Sequence, residues 1–134
     1  MRYKLFSFFF FLILFSCNKV NNEPDRLTVD LLITNTSTLK TGTPGSKIIS
    51  QVKCIEPNTC YEFSHLEIKQ INPRQFEIRA KGTIPNSNKG DLICLEVLRV
   101  KDTTAEISAA VTGQYLLHFY NSNNLFKTDT VIVN

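Results

Sequence analysis

From Arg26 to the end, this chain reads as short runs of alternating apolar residues cut by turn clusters, and that pattern limits the fold more than any other feature. Leu27, Val29, Leu31 and Ile33 recur every second residue, the period of a half-buried strand. The cluster 41–46 (TGTPGS) is a turn, and 47–54 (KIISQVKC) reads as a second strand. Tyr61 to Ile71 and Gln75 to Lys81 flank Asn72-Pro73-Arg74 as the arms of a hairpin. A specific register follows: Lys69 opposite Glu77, Glu67 opposite Arg79, Ile68 opposite Ile78, and Leu66 opposite Ala80. Opposite charges then share one face and aliphatics the other, and a slip of one residue would destroy both patterns. The four charges are thereby assigned to a solvated sheet face.

The second half continues in the same way. Pro85 to Gly90 is a loop. Leu92 to Val100 is apolar at both parities, which predicts a central strand buried on both faces. Lys101 to Thr104 is expected to be a turn and Ala105 to Val111 a short strand. Gly113 to Tyr120 and Leu125 to Val133 flank Asn121-Ser122-Asn123-Asn124 as a terminal hairpin. No stretch of ten residues has a helical period with caps. Gly113-Gln114-Tyr115 resembles the tyrosine corner of immunoglobulin-like domains, in which a Tyr hydroxyl bonds back to nearby backbone. Leu117 stands where a Cys usually follows, and the chain has no Trp. The expected architecture is an immunoglobulin-like antiparallel β-sandwich of seven to eight strands, with a jelly roll or small barrel as alternatives.

The N-terminus has a different character. Arg2 and Lys4 precede an apolar run, Leu5 to Phe15, interrupted only by Ser7. As a helix the run would reach about 16 Å, half of a ~30 Å hydrocarbon core, so it fits a secretory signal better than a membrane span. Leu14-Phe15-Ser16-Cys17 resembles the lipobox of bacterial lipoproteins, with Phe15 larger than usual at its position. The resemblance implies a signal peptide over 1–16 and an acylated Cys17 as the mature N-terminus, anchored in a lipid bilayer. Two or three acyl chains hold stably where one does not. Residues 17–25 then form the lipidated Cys and a polar tether, and 26–134 the β-domain. The eight tether residues after Cys17 span ~26 Å at most.

Composition follows the same division. Six of the ten Phe lie in the signal, and the 15 Lys and Arg less Arg2 and Lys4 leave 13 against 12 acidic residues. The mature net charge near +1 offers no basic patch for nucleic acid. Cys54, Cys60 and Cys94 remain beyond the anchor, and three cannot all pair within one chain. Cys60–Cys94 is the preferred bridge, closing a long loop between two strand-like positions; Cys54–Cys60 and Cys54–Cys94 are the alternatives.

No constellation for catalysis stands out. His65 and His118 lack the spacing to Cys60 or Cys94 that zinc or copper sites require, and the only Met is Met1. There is no Gly-x-Ser-x-Gly elbow, and 42–47 (GTPGSK) lacks the spacing of a phosphate loop. No cofactor, metal or catalytic residue is expected.

Several landmarks occur in an order that resembles small lipoproteins of Gram-negative bacteria with a single β-sandwich domain: Pro57-Asn58-Thr59-Cys60, Lys81-Gly82-Thr83, Cys94, Asp102-Thr103-Thr104, Gly113-Gln114-Tyr115 and Asp129 to Val133. The resemblance implies the lipid anchor, supports Cys60–Cys94 and transfers no catalytic residue. The expected function is a non-enzymatic, membrane-anchored module of the cell envelope that binds another envelope protein or a glycan. Outer-membrane anchoring is preferred because Asn18, rather than Asp, follows Cys17. Asn121, Ser122, Asn123 and Asn124 at the hairpin tip, and the loop Pro85–Gly90, are the expected binding surfaces. A small-ligand carrier with a cavity between the sheets and a cysteine-based redox protein are the competing readings.

Overall fold

A computed structural model describes residues 23–90 and 93–134; the signal, the lipobox and Cys17 lie outside them. The described chain is all-β, with eight strands in one curled sheet that forms a half-barrel. The strands are β1 (Arg26–Thr38), β2 (Thr41–Gly42), β3 (Lys47–Glu56), β4 (Glu62–Asn72), β5 (Gln75–Pro85), β6 (Arg99–Ser108), β7 (Gly113–Asn121) and β8 (Asn124–Val133). Their order across the sheet is β2-β8-β7-β5-β1-β3-β6, with β4 also paired to β5.

β1 makes the curl. Its first half, Arg26 to Leu31, pairs antiparallel with Pro85 to Ala80 of β5. Its second half, Leu32 to Thr38, pairs antiparallel with β3, with a register break between Ile33 and Asn35. An irregularity of this kind bends a strand and strengthens its twist. The sheet thus folds back on itself, and the β1–β3–β6 wing faces the β5–β7–β8 wing. Leu31, Ile33, Val52, Cys54, Ile78, Ala80, Ala105, Leu117, Phe119, Val131 and Val133 fill the space between, and none is more than 2 % exposed.

The β4–β5 hairpin has the register its charge pattern demands: Lys69 opposite Glu77, Glu67 opposite Arg79, Ile68 opposite Ile78, and Leu66 opposite Ala80. The ion pairs on that face run differently. Glu67 reaches Lys81 at 3.4 Å, and Arg79 pairs with Glu77 on its own strand at 3.0 Å while lying over the Tyr120 ring. Gly82 on β5 leaves no room for a side chain between its neighbours β4 and β1: a Cβ there would sit 2.8 Å from the Glu62 carbonyl oxygen and 2.9 Å from the Leu31 methyls.

Two expectations fail. Ile93 to Leu98 is not a central strand; it is an irregular, exposed segment outside the sheet. The strand starts at Arg99 and runs straight through Lys101-Asp102-Thr103-Thr104, so the expected turn is the middle of β6. The reason is position. β6 pairs only with β3 and ends the sheet, and charged and Thr residues are the usual guard of such an edge. Asp102 there pairs with Lys53 at 3.1 Å.

The Gly113-Gln114-Tyr115 corner is present. Tyr115 is buried, its ring stacks on Phe76, and its hydroxyl donates to the Val111 carbonyl (3.0 Å) and accepts from the Val111 N–H (3.2 Å). Tyr115→Phe is expected to cost about 1–2 kcal/mol, because both bonds go while the ring stays packed. Urea unfolding should show a lower midpoint at unchanged slope.

Candidate functional site

Loop 85–90, the start of β1 and the Cys60–Cys94 bridge lie together at one end of the half-barrel. Loop 85–90 closes over the last tether residues. Asn86, itself buried, donates from its side-chain amide to the Pro24 carbonyl (3.1 Å), and its N–H donates to the Asp25 carbonyl (2.8 Å). Its side-chain oxygen accepts from the Asn88 N–H and so caps the short 3-10 turn Ser87–Lys89. Lys89 meets the Asp25 carboxylate at 2.6 Å and holds its pKa below the ordinary value. The loop expected to bind a partner also holds the protein's own chain.

Arg26, the first residue of β1, continues this clasp. Its guanidinium donates to the Thr83 hydroxyl (2.7 Å), to the Thr83 carbonyl (3.1 Å) and to the Cys60 carbonyl (3.1 Å). Cys60 is disulfide-bonded to Cys94, with 5.3 Å between their Cα atoms. Beside the bridge, the Thr59 N–H donates to the Leu95 carbonyl (3.1 Å) and the Leu95 N–H to the Thr59 hydroxyl (2.9 Å). Glu56, buried at the end of β3, accepts from the Phe63 N–H (2.6 Å) and pairs with Arg99 (2.9 Å). The segment 93–98 is thus held at its base by a covalent bond and two hydrogen bonds, while its apolar side chains face solvent. Ile93 is 89 % exposed, and Leu95 and Leu98 are each 61 % exposed.

The tip 121–124 is partly structural. Asn121 accepts from the Ile33 N–H (2.7 Å) and donates to the Ile33 carbonyl (3.1 Å). Its amide replaces a neighbouring strand at the point where β1 leaves β5 for β3. Ser122 has φ of 54°, and its carbonyl accepts from Arg79 (3.2 Å). Asn123 and Asn124 are exposed, with Asn124 opposite Asn121 in the hairpin. A solvent-open hollow of about 280 Å³ lies beside the tip, against Asp30, Leu31 and Leu32.

A buried carboxylate that the sequence reading did not single out joins the two wings. Asp129 on β8 is 1 % exposed. It accepts from the hydroxyls of Thr36 (3.0 Å) and Thr38 (2.7 Å) on β1 and from Lys127 (3.0 Å). Burial alone would raise its pKa; the bonds from Thr38, Lys127 and Thr36 outweigh it and hold the carboxyl below its ordinary value. The signal was there to be read: Asp129 has the same parity as the inward Val131 and Val133.

Cys54 is the one free cysteine among the described residues. Burial, reinforced by the charge of Glu56, pushes its thiol up to about 11, so it stays protonated at neutral pH. His65 is exposed on β4, and His118 on β7 shares a hydrogen with the Thr128 hydroxyl at 2.9 Å. Among the described residues no group of three His, Cys, Asp or Glu is placed to hold a metal ion, and no helix is long and apolar enough to cross a membrane.

No family model, curated protein or solved structure matches this chain.

The surface offers further hollows. One of about 560 Å³, at the opposite end, is lined by Asn72, Pro73, Arg74, Gln75, Gln114 and Leu116. Another, of about 440 Å³, runs between the edge strands β4 and β6, with Ile68, Phe76, Ile107 and Val111 among its walls. Both open widely to solvent, whereas a more enclosed space beside Leu39 and Ile48 holds only about 60 Å³.

Proposed function

We propose that this is a lipid-anchored, non-enzymatic module of the bacterial cell envelope, held to the outer membrane through acylated Cys17 and binding an envelope protein or a glycan. The observation that carries the reading is the run Leu14-Phe15-Ser16-Cys17 closing an apolar signal, followed within ten residues by a compact β-domain. The Cys60–Cys94 bridge supports a non-reducing compartment. The open hollows, with side chains packed between the wings, weigh against a ligand carrier, and the protonated, buried Cys54 weighs against thiol redox chemistry.

For the fold, we propose an open variant of the immunoglobulin-like sandwich. The back-bonded Tyr115 and the division of β1 between two wings support it. The departures are the parallel pairings of β5 with β7 and of β2 with β8.

Labelling cells with palmitate tests the anchor. The protein is expected to carry label and sediment with membranes. Cys17→Ser is expected to lose both properties while still folding, since the core is built from residues of β1 onward. An unlabelled wild-type protein refutes the reading. Crosslinking in native membranes then identifies the partner, with Asn123 and Asn124 as the first positions to carry a crosslinker.

A further inference from the structure

We propose that the disulfide-clipped segment 93–98 is a membrane-contact element that lays the domain against the bilayer. This rests on the lipid-anchor reading and says how the anchored domain is oriented.

The exposed apolar residues are concentrated rather than scattered. Ile93, Leu95, Val97 and Leu98 are each between 49 % and 89 % exposed within six residues. Val100 continues them onto the outer face of the sheet, where Leu32, Ile55 and Val100 stand side by side across β1, β3 and β6. A contiguous apolar surface of this kind marks an interaction site.

The path of the chain identifies the occupant. Glu23 to Asp25 are held by Asn86 and Lys89, so only the residues between Cys17 and Glu23 separate the acyl chains from the folded domain. That length spans about 20 Å at most. Arg26 then bonds the carbonyl of Cys60, whose sulfur carries Cys94 and with it the segment. The apolar surface and the first described residues of the tether therefore lie at the same end. The anchor removes most of the entropic cost of a second, weak membrane contact, because the lipid is already at high effective concentration.

The segment's chemistry suits the interface rather than the bilayer core. Glu96 is exposed within it, so its carboxylate stays hydrated at headgroup level while Leu95 and Leu98 reach the acyl boundary, about 5–10 Å deep. The bridge and the Thr59–Leu95 bonds set the segment's position beforehand, which lowers the ordering cost of docking.

The absence of Trp from the chain makes the test direct. The full acylated protein carrying Leu95→Trp is reconstituted in vesicles of phosphatidylethanolamine and phosphatidylglycerol, with or without brominated acyl chains. The expected result is blue-shifted emission, quenched about twofold by the brominated lipid, as an indole near the acyl boundary requires. Leu39→Trp, just beyond the other end of β1, is expected to emit as in water and to escape quenching. Palmitate label on the same samples separates the two readings. Labelled protein with a solvent-exposed, unquenched Leu95→Trp overturns the docking and leaves the anchor standing. Blue-shifted but unquenched emission also overturns it, because a second copy or an envelope protein then covers the segment. Unlabelled protein overturns the anchor and the docking together.

Discussion

Asp129→Ala is expected to lower the unfolding free energy by about 2–4 kcal/mol, the cost of losing a buried carboxylate that satisfies two hydroxyls and an ammonium. The melting temperature should fall by roughly 10–20 °C in a domain of this size. The effect exceeds that of an ordinary surface ion pair because Thr36 and Thr38 lie on β1 and Asp129 on β8, so the cluster joins strands that share no ladder. Asp129→Asn separates the contributions: it keeps an acceptor for the hydroxyls and removes the charge that Lys127 answers. The pH dependence has a definite sign. The folded carboxyl is held below its ordinary value, so its stabilisation is complete above the unfolded value near 4 and is lost as pH falls through the folded value. Unfolding followed from pH 6 to pH 2 should show a steep loss in the wild type, and Asp129→Ala should flatten it. Asp25, lowered by Lys89, titrates in the same direction, but it is solvent-exposed and adds little.

Removing the Cys60–Cys94 bridge with the double change Cys60→Ser and Cys94→Ser is expected to cost about 3–4 kcal/mol, from the loop of 34 residues it closes in the unfolded chain. Denaturant unfolding with and without a reductant measures it: the wild type should drop to the level of the double variant on reduction, and the variant should not respond. A second consequence is local. Without the bridge, only Thr59 and the Arg99 contacts to Glu56 and Tyr61 keep the segment near the 57–61 turn. Hydrogen exchange at Leu95 N–H should accelerate while the β5 and β7 amides stay protected.

Where the two parities of a strand carry different chemistry, the fold could be read in advance. The β4–β5 hairpin shows this, since charges on one face and aliphatics on the other allow one register. The terminal hairpin and the Tyr115 corner were equally readable, because Gly113 and the Asn-rich tip mark their ends. Apolar content by itself does not decide burial. Ile93 to Leu98 looked like a core strand, but its place is decided by a bridge between residues far apart in sequence, which holds it outside the sheet. Lys101 to Thr104 looked like a turn because its polarity belongs to an edge, and edge position is a property of the assembled sheet. Asn121, expected to bind a partner together with the rest of its Asn-rich tip, also serves the bend in β1, and that bend has no local signature. At the candidate site, the bridge was anticipated, whereas the clasp of Asn86, Lys89 and Arg26 around the incoming chain was not. It depends on residues roughly sixty positions apart.

The position of β1 also governs how this domain would bear load. A pull on the chain at Asp25, resisted at the far end of the half-barrel, is directed along β1. Six successive pairs with β5, from Arg26–Pro85 to Leu31–Ala80, lie across that pull and must slide together instead of opening one by one. The strand then passes into the β3 ladder, so slippage would also have to drag Leu32 to Thr38 past Ile55 to Ser50. Resistance to forced unfolding is a matter of rate, and an arrangement in shear places that barrier at the first strand the force meets.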